Sequence, residues 1–98
     1  MRLLVVDDNA KLRQLLVGLF TGARYTVDAV GTVREAQEAL ASVGYDLVLL
    51  ELRLPDADGA EVLRDLRRRG IGTPVSRLTR LSVLDLSFGR ISRSATST

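Results

Sequence analysis

The sequence predicts an α/β fold, a parallel sheet with helices on both faces. Two patterns carry that prediction. Continuous apolar runs at residues 3–6 and 47–50 each end in acidic residues, which suits strands buried on both faces of a parallel sheet. Around them, apolar residues recur at helical spacing, so the chain reads β-α-β-α-β-α-β with short loops. Right-handed crossovers then place helices on both faces.

Each element has its own signal. Residues 3–6 make the first strand, closed by Asp7 and Asp8. Asn9 is placed to cap the next helix. In that helix Leu12, Leu15, Leu16, Leu19 and Phe20 form one apolar face, read as core packing rather than a partner groove. Gly22 sits where the helix should stop. Residues 25–30 are a short strand rich in β-formers. Thr32 with Glu35 three residues later reads as a capping box, and Val33, Ala36, Leu40 and Val43 give the second stripe, ended by Gly44. Residues 46–50 form the third strand, closed by Glu51. Residues 52–58 are a turn-rich loop with Pro55, Asp56 and Asp58, followed by Gly59. Val62, Leu63 and Leu66 make a third helical face. Arg67, Arg68 and Arg69 complement its dipole, and Gly70 stops it. Thr73, Pro74 and Val75 open a fourth strand ending near Thr79.

Beyond this point regularity fades. Ser76 and Arg77 fall where a central strand should be apolar, and no helical period follows. Residues 80–98 are expected to form an atypical tail, a weak hairpin or a disordered end.

Composition narrows the chemistry. The chain has 98 residues, one domain at most. It contains no Cys and no His, which removes thiolate and imidazole metal sites, triads and His-based acid–base catalysis. Any bound metal must be held by oxygen, favouring magnesium or calcium. Net charge is +2, with the excess in the tail, where four arginines face one aspartate beyond residue 73. Spread arginines of this kind are ordinarily a solvated face, as are Arg64 and Arg67 to Arg69. No apolar run approaches the roughly 18 residues of a membrane span, and carboxylates end the first apolar stretch too early for a signal peptide. The expectation is a soluble, cytoplasmic protein without membrane contact.

Ligands of open parallel sheets bind at the carboxyl ends of the strands. Asp7, Asp8 and Glu51 lie at such ends. If the first and third strands are neighbours, these carboxylates converge, and a cation such as Mg²⁺ would relieve their repulsion. Acidic strand ends also serve as ordinary helix caps and solvated loops, so spacing alone leaves both readings open.

The order of motifs goes further. Leu-Leu-Val-Val-Asp-Asp-Asn at residues 3–9, Tyr-Asp-Leu-Val-Leu-Leu-Glu-Leu-Arg-Leu-Pro-Asp-Ala-Asp-Gly at 45–59 and Thr-Pro-Val-Ser-Arg-Leu-Thr at 73–79 resemble the receiver domain of two-component response regulators. The resemblance covers residues 1–79. It implies a flavodoxin-like (CheY-like) sheet of strand order 2-1-3-4-5. It also implies a Mg²⁺ site formed by Asp7, Asp8, Glu51 and the Arg53 backbone carbonyl. Glu51 would stand at the phospho-acceptor position, and Thr79 would supply the switch hydroxyl. The implied partner is a sensor histidine kinase, met on the exposed side of the first helix (Lys11, Arg13, Gln14), with a homodimer left open. Such a module relays a phosphoryl group and is not an enzyme in its own right.

Two departures qualify that expectation. Glu51 has a stem one CH₂ longer than the aspartate of the family, so it is either a partial phosphomimetic or an inactive acceptor, because in-line displacement needs its nucleophile placed to within about an ångström. The family's fourth helix, fifth strand with Lys-Pro, and fifth helix are not legible, and the only lysine is Lys11. The fold is therefore expected to be incomplete at its C-terminal end. Residues 81–93 resemble the opening strands of a winged-helix DNA-binding domain. The parent would then be a transcriptional regulator, reaching DNA only through an effector domain outside this chain. The alternatives are a pseudo-receiver that binds partners without phosphorylation, and a Mg²⁺-carboxylate phosphatase or nuclease, which the lack of His disfavours.

Overall fold

A computed structural model describes residues 1–78. Thr79 and the tail expected over residues 80–98 lie outside the described residues. The elements alternate as predicted: β1 (Arg2–Val6), α1 (Ala10–Gly22), β2 (Thr26–Val30), α2 (Val33–Ser42), β3 (Leu47–Leu50), α3 (Ala60–Arg68) and β4 (Val75–Arg77). The strands form one parallel sheet in the order β2-β1-β3-β4. This order makes β1 and β3 neighbours, the condition on which convergence of the acidic strand ends depended.

Strand alternation splits the core into two layers. Leu3, Val5, Leu47 and Leu49 face Leu16 and Phe20 of α1, together with Leu78. Leu4, Val6, Val48 and Leu50 face the other way, toward Val33 and Ala36 of α2 and Val62 of α3. Burial of each such Leu or Val stabilises the fold by about 1.5–3 kcal/mol, and residues 3–6 and 47–50 carry no polar side chain. Ser76 of β4 is also buried.

The caps follow the sequence closely. Asn9 accepts the Leu12 N–H at 3.1 Å, and Thr32 accepts that of Glu35 at 3.0 Å. The reciprocal arm of the second cap differs, because Glu35 accepts the Gly31 N–H at 3.2 Å. Gly70 ends α3 with φ +73°, while the Ile71 N–H reaches back to the Leu66 carbonyl at 2.9 Å. Arg67 folds over this end and donates to the carbonyls of Ile71 and Thr73. At the end of α1 the left-handed residue is Arg24, φ 72°, rather than Gly22, which remains helical.

Two expectations about α1 need correction. Leu15 is 47% exposed. It lies about 100° around the helix from Leu16, so when Leu16 and Phe20 point at the sheet Leu15 emerges at the side. Arg13 is half-buried rather than fully on the open face, because its guanidinium reaches under the helix to the Asp7 carbonyl at 2.6 Å.

Candidate functional site

The site grows from the β1–β3 register. Val6 and Leu50 are paired, so the next residues, Asp7 and Glu51, leave the sheet side by side. The ladder runs one step further on both: the Asp7 N–H donates to the Val30 carbonyl at 3.0 Å, and the Glu51 N–H to the Val6 carbonyl at 2.9 Å. Both backbones are therefore fixed where their side chains enter a cleft of about 550 Å³ at the carboxyl end of the sheet. Asp7, Asp8, Glu51 and Arg53 line it, with Arg77 and Leu78 on the β4 wall.

Asp7 is 3% exposed, and its Oδ1 accepts the Asn9 N–H at 2.8 Å. Burial pushes its carboxyl above the usual carboxylate range. The Asn9 bond opposes that shift, while the charges of Glu51 and Asp8 add to it. Glu51 is half-buried and turns its Oε1 back onto the N–H of Arg53 at 2.9 Å. Asp8 is exposed at the rim. Every donor here is oxygen, the set that suits Mg²⁺, which takes one or two carboxylates and keeps several waters. A buried carboxyl raised by burial and by like charge is also one whose ionised form a cation would relieve. The donors thus fit such an ion in chemistry. Among the described residues, however, no three acidic side chains close into a ready-made metal cluster.

The loop after Glu51 is shaped by Gly59. A Cβ there would fall on the Glu51 carbonyl oxygen and 2.8 Å from Leu52 Cα. The Gly59 N–H donates to the Leu52 carbonyl at 2.8 Å, and Arg53 pairs with Asp58 in an antiparallel bridge. Asp58 accepts the Ala60 N–H at 2.9 Å and so opens α3. Asp56 spans a longer distance, accepting the Val33 N–H at 2.9 Å and the Arg34 N–H at 3.0 Å.

The structure therefore brings Asp7, Asp8, Glu51 and Arg53 to one cleft, and Thr79 lies outside the described residues. Sequence reasoning missed Arg77 as a lining residue and Asp56 as a tie. Arg77 had a signal, a charge breaking a strand, and the ladder pairing of Leu50 with Arg77 explains it. Asp56 had none, since its partners lie 22 and 23 residues away.

Comparison with known proteins settles the family. The model of the response regulator receiver domain matches residues 3–89. The chain belongs to the response regulator receiver family. As a receiver domain it is 40% identical over 85 residues to a probable transcriptional regulatory protein, y4xI, of Sinorhizobium fredii, covering 87% of this chain and 37% of that protein. It is 44% identical over 78 residues to the transcriptional regulatory protein TcrA of Mycobacterium tuberculosis, covering 80% and 31%. The chain thus spans about a third of these relatives. Among solved structures, it superimposes on the Thermotoga maritima response regulator TrrA in complex with Mg²⁺-BeF, with TM-score 0.68, 32% identity, and coverage of 78% of this chain and 64% of that one. The non-phosphorylated HemR receiver domain of Leptospira biflexa matches with TM-score 0.79 and 25% identity, covering 99% and 95%. The receiver's sheet is flavodoxin-like, as the resemblance implied. No helix among the described residues is long and apolar enough to cross a membrane.

Proposed function

We propose that the chain is the receiver module of a two-component phosphorelay whose acceptor position is closed to phosphoryl transfer by Glu51. One observation carries this reading: the Glu51 carboxylate is folded back onto the Arg53 N–H at 2.9 Å. The same i to i+2 turn is made by Asp7 with Asn9 and by Asp58 with Ala60. Glutamate makes this turn with one CH₂ more than those aspartates, so its oxygens stand one bond further from the backbone than an aspartate's would, and in-line displacement needs its nucleophile placed to within about an ångström. Glu51 instead supplies a permanent carboxylate, a partial stand-in for a phosphoryl group of charge about −1.5 to −2.

In this reading Asp7, Asp8, Glu51 and the Arg53 carbonyl hold Mg²⁺, which neutralises the cleft, and Thr79 is the hydroxyl that answers charge at position 51. A sensor histidine kinase is the partner. The protein to which such a module belongs is a DNA-binding transcriptional regulator, in keeping with the names of the relatives. The module is not itself an enzyme.

The test is exposure of the chain and its Glu51→Asp variant to a small phosphodonor with Mg²⁺, read by intact mass. The parent should stay unmodified and the variant should gain one phosphoryl group. A phosphorylated parent, or a variant as inert as the parent, would overturn the claim that Glu51 alone closes the site.

A further inference from the structure

We propose that Asp56 is a positioning residue of the cleft: its carboxylate ties the loop carrying Glu51 and Arg53 to the first turn of α2, and that tie holds the Glu51 carboxylate in place. Its two oxygens take separate backbone donors, Val33 N–H at 2.9 Å and Arg34 N–H at 3.0 Å. These are the first two residues of α2, whose amides have no partner within the helix. The Thr32 cap satisfies Glu35 instead, so the contacts of Asp56 do not duplicate it. The other polar ties of the loop are internal. Gly59 bonds Leu52, Arg53 bridges Asp58, and Asp58 bonds Ala60. Among the described residues, Asp56 is the polar side chain of 52–58 that bonds outside this loop and α3. The loop is thereby fastened to a helix whose Val33 and Ala36 are packed in the core against β1 and β3. Glu51 meets the same loop through the Arg53 N–H, so movement of the loop moves its carboxylate.

The experiment compares the 98-residue chain with Asp56→Ala and Asp56→Asn. It records amide hydrogen exchange by NMR, then a Mg²⁺ titration; only the titration rests on the cation reading above. In Asp56→Ala the Arg53 N–H should exchange about tenfold faster, with the Asn9 and Leu4 amides unchanged, and Mg²⁺ affinity should fall about tenfold, the usual scale for a group that orients a ligand. Asp56→Asn keeps one acceptor oxygen and should fall between. If Arg53 stays as protected as in the parent, the proposal is overturned. It is also overturned if Arg53 and Leu4 accelerate by the same factor in both variants, since the tie would then support only global stability. Lack of Mg²⁺ binding by the parent would sink the cation reading, while the exchange result would still decide the role of Asp56.

Discussion

Toward the amino end of the sheet, Asp28, midway along β2, accepts the Tyr45 O–H at 2.6 Å and lies 3.9 Å from the Arg2 guanidinium. The Arg2 N–H donates to Asp46 at 2.7 Å, and the Thr73 hydroxyl to the Tyr45 carbonyl at 3.2 Å. At the carboxyl end, Asp7 is buried where Glu51 and Asp8 both oppose its ionisation. One end of the same strands sets Asp28 beside Arg2, and the other sets the carboxylates of Glu51 and Asp8 against buried Asp7, with Arg53 and Arg77 also lining the cleft. The difference teaches where stability and function were separated: unfavourable electrostatics persist in a fold where the surrounding structure enforces them, and such places are typically functional.

The largest effect should come from breaking the scaffold of the carboxyl end. Gly59→Ala puts a methyl group into the Glu51–Leu52 backbone, which cannot swing aside as a side chain would. A loss of about 3 kcal/mol is expected in urea denaturation, at the upper end for overpacking. A variant as stable as the parent would mean that the loop does not depend on this close approach.

At the amino end the corresponding break is smaller. Tyr45→Phe deletes one short hydrogen bond but leaves Asp28 near Arg2, so about 1–2 kcal/mol should be lost. The pH dependence has a definite sign. Burial pushes the Tyr45 phenol from 10.0 to about 12, with the Asp28 hydrogen bond and charge adding and Arg2 opposing. The folded state holds this proton more tightly than the unfolded one. Its stabilisation is therefore complete below pH 10 and lost as pH rises through about 12. The difference between parent and Tyr45→Phe in urea midpoint should shrink across that window and not below it.

Most of the core and of the helix ends was legible in sequence, because local patterns dictate them, whereas the Tyr45–Asp28 contact was not. Apolar runs gave β1 and β3, spacing gave the helices, and Asn9, Thr32 and Gly70 acted as the caps and stop their chemistry implies. Asp7, Asp8 and Glu51 were legible at the carboxyl end because strand ends are where parallel sheets present ligands. What escaped was non-local or directional. Asp56 bonds 22 and 23 residues away, Arg13 bends beneath α1 to Asp7, and Leu15 lies to one side of its apolar stripe. Periodicity assigns a residue to a face but does not say where its polar atoms end.

The smallest change tests the contrast by its sign. Asp7→Asn keeps an oxygen to accept the Asn9 N–H while removing the charge. Because the Asp7 carboxyl is raised in the fold, by burial first and then by Glu51 and Asp8, the folded state binds its proton more tightly than the unfolded state. That contribution favours folding below the unfolded carboxylate pKa and is lost as pH rises through the raised folded value. Above the raised folded value, with EDTA present, the ionised parent carries the whole penalty and the asparagine none. The variant should therefore unfold at a higher urea concentration, against the usual direction for a buried polar substitution. Added Mg²⁺ should then raise the parent's midpoint and leave the variant's unchanged. A variant less stable than the parent in EDTA would show that Asp7 is as well matched as Asp28, and the two ends of the sheet would no longer differ in kind.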